Sequence, residues 1–334
     1  MKNSKKLLSL LLSLVMILMT ACGAQSTGST ATGEQKMITI GIGQFAEHPS
    51  LDNCRKGFVE GLKEEGFVEG QNVTYKYENA QTDGSIANQI YTNFVNNKVD
   101  MLMAIATPMA QAAYGLARDT EIPVIYTAIT DPVAAELANE NGTPVGNCTG
   151  TSDRLPVDQQ LALIKEMYPN CKNLGILYTT SEVNSLSSID EYKFYATKYD
   201  IEIKTVAINE SSDMPMACDN ILNRVDAMTN VTDNTVVASL PILLSKAKEK
   251  NIPVFGSEIE QVKLGCVACM GLDYVELGKQ TGRMAAKILR GEKKAKDINY
   301  EAIENASLYL NENVAKDLGL ELTEDLKKRA TEIY

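Results

Sequence analysis

Residues 37–43, MITIGIG, and residues 51–65, LDNCRKGFVEGLKEE, decide the fold. The first segment is short, apolar and β-branched. The second spaces its apolar residues as one face of a helix does and stops at Gly66. A buried strand that feeds an amphipathic helix is the unit from which helix-covered parallel sheets are built. The unit recurs: strand 72–77, helix 85–97, strand 101–105, helix 109–118, strand 123–126. From 131 to 156 the rhythm breaks around Pro132, Gly142, Pro144, Gly146, Gly150 and Pro156, where one lobe is expected to hand over to another. It then resumes with helix 157–168, strand 174–178, helix 187–198, strand 202–207, helix 214–228, strand 235–238, helix 242–250 and strand 253–255. A last strand, 265–270, precedes helix 273–289 and an amphipathic, charged tail over 307–334. The fold class expected is α/β, with two similar Rossmann-like lobes on parallel sheets. The lobes are assigned as 37–152 with 272–302, and 153–271 with 303–334, which requires three crossings.

Upstream, Lys2, Lys5 and Lys6 precede an apolar run over residues 7–19 that closes on Met19-Thr20-Ala21-Cys22. The run falls short of the roughly 20 residues that span a bilayer, so residues 1–21 read as a cleaved signal peptide. Met19-Thr20-Ala21-Cys22 resembles the lipobox of bacterial lipoproteins, with Met19 where leucine is commonest. That resemblance implies acylation at Cys22 and a chain held on the outer face of the cytoplasmic membrane, at the cell surface. Residues 22–36 are small and polar and suit a flexible tether.

Composition narrows the function. The formal charge of −11 includes the three signal lysines, so the exported chain is more acidic still, which argues against nucleic acid as a partner. Six of the seven cysteines follow Cys22, at irregular spacing. Cys266 and Cys269 form a CxxC in a run that reads as a buried strand, with no second pair near it and His48 as the only histidine. Packing is the favoured reading for them, with a disulfide, or redox or metal chemistry, as the alternatives, and neither metal nor cofactor is expected.

No GxSxG, HExxH or GxxxxGK[ST] is present, and Gly41-Ile42-Gly43 lacks the third glycine of a dinucleotide turn. An enzyme is therefore not expected. What recurs instead is a polar cluster after a strand, at the opening of the next helix: Gln44-Phe45 with Glu47-His48, Thr107, Thr127 to Asp131, Thr179 to Ser185, and Asp233-Asn234. Each could be a helix cap or part of a ligand site at the carboxyl edge of a sheet. Taken together, the hydroxyls of Thr180, Ser181 and Ser185 suit a carboxylate, and Asp153 and Asp233 suit an ammonium, the two ends of a free amino acid. Phe45 and Tyr126 could wall its side chain or belong to the core.

With these clusters in place the chain resembles the ABC-transporter substrate-binding lipoproteins of the tryptophan- and tyrosine-binding branch. The likeness is carried by Gln44-Phe45, His48-Pro49-Ser50-Leu51-Asp52, Thr107-Pro108, Thr130-Asp131-Pro132, Gly150-Thr151-Ser152-Asp153, Tyr178, Ser181-Glu182, Asn184-Ser185 and Asp233-Asn234-Thr235. It implies a type I periplasmic-binding fold with a hinged interlobe cleft and a ligand there. The residues implied are Gln44, Phe45, Thr107, Thr127, Asp131, Asp153, Thr180, Ser181, Glu182, Asn184, Ser185, Asp233 and Asn234. In this reading segment 181–185 holds the carboxylate and Asp233 or Asp153 the amine. The partners implied are an aromatic amino acid, a membrane permease and the membrane itself through Cys22. The alternatives are a surface sensor or adhesin on the same fold, and an importer component for a different small molecule.

Overall fold

The computed structural model describes residues 37–303 and 306–334; the signal, the Cys22 anchor and the tether lie outside the described residues. The chain opens with β1 (Ile38–Gln44), α1 (Pro49–Glu64), β2 (Val73–Asn79), α2 (Gly84–Asn96), β3 (Met101–Ile105), α3 (Thr107–Ala117), β4 (Val124–Ile129) and β5 (Cys148–Ser152). After β5 come α4 (Val157–Met167), β6 (Asn173–Thr179), α5 (Val183–Ala196), β7 (Glu202–Ile208), α6 (Met214–Ile221), β8 (Ala227–Thr229), α7 (Asn234–Ala238), α8 (Leu240–Glu249) and β9 (Val254–Phe255). The last elements are α9 (Ile259–Leu264), β10 (Ala268–Gly271), α10 (Tyr274–Leu289), β11 (Glu301–Ala302), β12 (Ser307–Leu310), α11 (Glu312–Asp317), α12 (Glu324–Arg329) and β13 (Ala330–Ile333).

The first sheet runs β11-β5-β4-β3-β1-β2 with every pair parallel. Every residue of β3 and β4 is buried, as expected for strands covered by helices on both faces. The edge strand β2 turns charged and polar residues outward, and the short edge strand β11 exposes Glu301. A second parallel sheet, β7-β6-β8-β9, repeats the plan. Backbone bonds from Val267 N to Val254 O (2.8 Å) and from Gly256 N to Ala268 O (3.0 Å) carry it into the small sheet β10-β12-β13. The fold is thus α/β with two lobes on parallel sheets. The chain leaves the first sheet after β5, returns to it between β10 and α10, and leaves again between β11 and β12.

The return is fixed by glycines. Gly57 and Gly61 on α1 meet Gly278 and Gly282 on α10, each pair one helical turn apart. A Cβ on Gly57 would stand 2.0 Å from the Val275 carbonyl oxygen, and one on Gly278 would stand 2.1 Å from that of Cys54. The two backbones therefore pack directly on each other, and Leu277, Met284 and Ala285 join the hydrophobic core of the first sheet.

Three local expectations are corrected. The helix expected over 214–228 ends at Ile221, and Ala227–Thr229 forms β8. The expected strand 235–238 is the helix α7, although Thr235, Val236 and Val237 favour strands. Asp233 caps it by accepting from Val236 N, and Glu182 accepts from the Asn234 and Thr235 N–H groups. Two carboxylates at a helix N-terminus outweigh the propensity of three side chains. The charged tail contains β12 and β13 as well as two short helices. Among the described residues no helix is long and apolar enough to cross a membrane.

Candidate functional site

The first wall of the site is built at the carboxyl ends of β1, β3 and β4. Gln44 is buried; its amide donates to Ala46 O and Asp52 Oδ1, and its Oε1 has no partner. His48 precedes α1, whose first residue is Pro49, a residue that gives up no needed N–H there. Among the described residues neither ring nitrogen of His48 has a partner in full hydrogen-bond geometry, nor does Ser50 Oγ on the same turn or Thr107 Oγ1 at the start of α3, although the Asn234 side chain faces His48 and Glu258 faces Ser50. Ala106 and Ala128 hold φ of 83° and 57°, left-handed values that a side chain adopts only under constraint. Both flank this rim.

The second wall comes from β6, α5 and α7. Asp233 is fully buried and accepts four hydrogen bonds: Thr179 N (2.6 Å), Thr179 Oγ1 (2.8 Å), Ser185 Oγ (2.7 Å) and Val236 N (2.9 Å). Glu182 accepts from the amides of Asn184 and Asn234, the backbone of Asn234 and Thr235, and the Thr235 hydroxyl. Burial, with the charge of Asp233 behind it, pushes Glu182 up to about 7. These two acids tie three chain segments together.

Between the walls lies a narrow cavity lined by His48, Ser50, Asp153, Thr232, Asp233, Asn234, Glu258, Gln261, Tyr274 and the apolar Leu51, Ala128 and Val237. Asp153, which follows β5, is 1% exposed. Its side-chain donors among the described residues are two hydroxyls, Tyr274 Oη (2.6 Å) and Thr130 Oγ1 (3.1 Å), beside its own backbone N–H. Desolvation raises its pKa, against those two bonds. Glu258 caps α9 by accepting from Glu260 N and Gln261 N, and burial lifts it to about 7. Burial drives His48 the other way, down to about 4, with Asn234 and Asp52 opposing more weakly, so the ring is neutral at pH 7. No lysine or arginine lines the cavity among the described residues.

The walls are also joined directly. Thr130 Oγ1 lies 2.6 Å from Thr232 Oγ1, Ser187 Oγ donates to Asp131 Oδ2 at 2.7 Å, and Asn53 Nδ2 donates to Glu260 Oε1 at 3.1 Å. Since the single Thr130 proton goes to Asp153, Thr232 donates to Thr130.

The structure thus brings Asp153, Asp233 and Asn234 to the cavity lining, and buries Gln44, Thr107, Glu182, Asn184 and Ser185 in the surrounding rims. It does not bring the others there. Thr180 and Ser181 are exposed, and Thr180 bonds Asn209 instead. Thr127 spends its hydroxyl in a buried ring with Thr151 and Thr281. Asp131 caps the turn at Val133 and Ala134 besides taking Ser187. Phe45 and Tyr126 belong to the first-sheet core. Sequence reading placed His48 only in a polar cluster that could cap a helix or meet a ligand, and gave no site role to Ser50, Tyr274 and Glu258. All four sit at helix starts, and Glu258 follows β9 as the other clusters follow their strands. The six described cysteines are buried free thiols, Cys266 and Cys269 included. Among the described residues no group of three or more His, Cys, Asp or Glu could hold a metal ion.

A two-lobed α/β body with a polar, anionic cavity between its sheets defines a binding protein for a small solute. The sequence matches the family described as ABC transporter substrate binding protein over residues 39–334, and the chain belongs to that family. A place outside the cytoplasm is what this family implies, and its members typically bind a substrate without transforming it. The chain is 39% identical over 329 residues to the tyrosine-binding protein of Clostridioides difficile, covering 96% of this chain and 94% of the relative. Among solved structures it is similar to an ABC domain in complex with L-Trp from Streptococcus pneumoniae, with 34% identity and a TM-score of 0.86 over 90% of this chain and 100% of that one. It is also similar to the ligand-free, open structure of CD0873, a substrate-binding protein with adhesive properties from Clostridium difficile. There the identity is 37% and the TM-score 0.66, over 89% of this chain and 99% of that one.

Proposed function

We propose that the chain captures a free aromatic amino acid in the cavity between its lobes and delivers it to a membrane permease, held at the cell surface by a lipid on Cys22. The observation that carries this reading is Asp153: a buried carboxylate on the cavity wall whose side-chain donors are two hydroxyls, with no lysine or arginine in the cavity lining among the described residues. A buried carboxylate without a cation is costly, and an α-ammonium supplies that cation together with three donors. In this account Asp233, whose acceptor positions are taken from within the fold, supports the site rather than holding the amine. The ligands named for the two relatives, tyrosine and L-Trp, share the α-ammonium and an aromatic ring. The direct bonds between the walls, and the closer superposition on the L-Trp complex than on the open structure, support reading the described arrangement as a closed one.

A thermal-shift panel tests this. A soluble form beginning at Gly23 keeps the whole compact unit Met37–Tyr334. After ligand is stripped by partial unfolding, it is melted against the twenty amino acids and against 3-(4-hydroxyphenyl)propionate, which lacks the amine. A binder at a hundred times its Kd adds about 2.7 kcal/mol. An aromatic amino acid is expected to raise Tm and the amine-free analogue to leave it unchanged; equal shifts for both would remove the ammonium from the account.

A further inference from the structure

We propose that His48 and Ser50, on the opening turn of α1, form the part of the cavity that reads a hydrogen-bonding group on the ring of the bound amino acid, so that phenol- or indole-bearing side chains are taken in preference to a plain phenyl ring. This rests on the amino-acid reading above.

Both side chains line the cavity, at 8% and 3% exposure, and among the described residues Nδ1 and Nε2 of His48 and Oγ of Ser50 have no partner in full hydrogen-bond geometry, although the Asn234 side chain faces His48 and the Glu258 carboxylate faces Ser50. Buried polar atoms are almost always paired, so two unpaired groups on one turn, facing a cavity, mark a place where something else supplies the bonds. A neutral imidazole offers one donor and one acceptor, and a serine hydroxyl offers either. That set matches a phenol hydroxyl, which gives one bond and receives another, and an indole N–H, which gives one.

The charged end of an amino acid fits this corner poorly. A neutral ring brings no charge to a carboxylate; the charge acting on His48 is that of Asp52, and Glu258, lifted to about 7 by burial, faces Ser50. The ammonium has a better partner in Asp153, whose side-chain donors are two hydroxyls, whereas each oxygen of Glu258 already takes a backbone N–H. Leu51 and Val237 give the ring apolar contact beside the unpaired atoms. A site that pairs its own buried groups through the ligand strongly disfavours an analogue without the matching group.

Calorimetric titration of the soluble form with L-tyrosine, L-tryptophan and L-phenylalanine tests the proposal. The wild type is expected to bind tyrosine or tryptophan at least tenfold more tightly than phenylalanine. His48→Leu is expected to weaken the preferred ligand at least tenfold while phenylalanine stays within threefold, and His48→Gln, which keeps a donor and an acceptor, to retain most of the preference. Ser50→Ala should act in the same direction by a few-fold, and it carries the test if His48→Leu fails to fold. Equal losses for all three ligands in His48→Leu would place this turn at the head group and overturn the proposal, as would no loss at all. Wild-type binding of the three without preference would sink this proposal and leave the amino-acid reading intact; no binding of any amino acid would sink both.

Discussion

The two walls of the cavity handle buried charge in opposite ways. On the wall made by β6, α5 and α7, Glu182 and Asp233 are saturated by backbone amides, hydroxyls and side-chain amides of their own lobe. Among the described residues Gln44, His48, Ser50 and Thr107 keep unpaired atoms on the wall made by β1, β3 and the β5 exit, as Asn184 Oδ1 and Ser188 Oγ do on α5. The difference lies in the carboxylates, since Asp153 has two hydroxyls as its side-chain donors. A residue's presence in a cleft therefore does not make it a ligand group. Its unspent hydrogen-bonding capacity does, because a carboxylate already holding four donors has little left to give.

The largest expected effect is on Asp153. Asp153→Asn should weaken binding of the amino acid by roughly 10- to 100-fold, the loss of a charge-assisted bond worth about 1.5–3 kcal/mol, while the ligand-free Tm holds or rises because an uncompensated buried charge is gone. Titration and melting curves of the same preparation read both.

Asp233→Asn should show the reverse pattern. Its amide nitrogen cannot accept from the Thr179 and Ser185 donors, so stability should fall by about 1–3 kcal/mol, with the Kd of the folded protein within about threefold of wild type. A Kd loss as large as that of Asp153→Asn would erase the contrast between the walls.

A smaller effect is expected at Thr130, which bonds Asp153 on one side and Thr232 across the cleft on the other. Thr130→Val keeps the shape and loses both bonds, so affinity should fall by about three- to tenfold, from about 1 kcal/mol for a neutral bond. Small-angle scattering should show the ligand-bound form less fully closed; unchanged affinity and closure would leave the hydroxyl link without a role.

The smallest effect is a pH slope. The folded pKa of Glu258 is raised from 4.5 to about 7, so the folded state binds a proton that the unfolded state has released. Its stability contribution is fully present below about 4.5 and is lost as pH rises through about 7. His48 has the opposite sign: with its folded pKa lowered from 6.5 to about 4, it contributes above 6.5 and loses that contribution as pH falls toward 4. Ligand-free Glu258→Gln should therefore lose less Tm than wild type between pH 5 and 8. Binding of an ammonium should tighten over the same interval as the acids ionise; a steeper Tm loss in the mutant would put the Glu258 shift in the wrong direction.

Much of the fold was legible because its signals are local. The apolar runs that became β1, β3 and β6, and the helix after each, stand in the chain in the order the sheets use them. What could not be read depends on distant partners. Residues 234–238 look like a strand until Glu182, some fifty residues earlier, is set against their N–H groups. The site was legible as a set of rims but not as a division of roles. Asp153 and Asp233 look alike in sequence, and only the donors that fold against Asp233 separate them. Thr127 looks like a ligand hydroxyl until Thr151 and Thr281 arrive from other elements. His48 stood in a polar cluster that could be a cap or a ligand group, and Ser50 in a quoted run without a role, since unspent bonding capacity has no sequence signature.

The most direct measurement is a crystal structure of the chain with its amino acid bound. The account predicts the α-ammonium within hydrogen-bond distance, roughly 2.7–3.2 Å, of an Asp153 carboxylate oxygen, with the Asp233 bonds to Thr179, Ser185 and Val236 unchanged. An ammonium seated on Asp233, with Asp153 still bonded only to Thr130 and Tyr274, would contradict it.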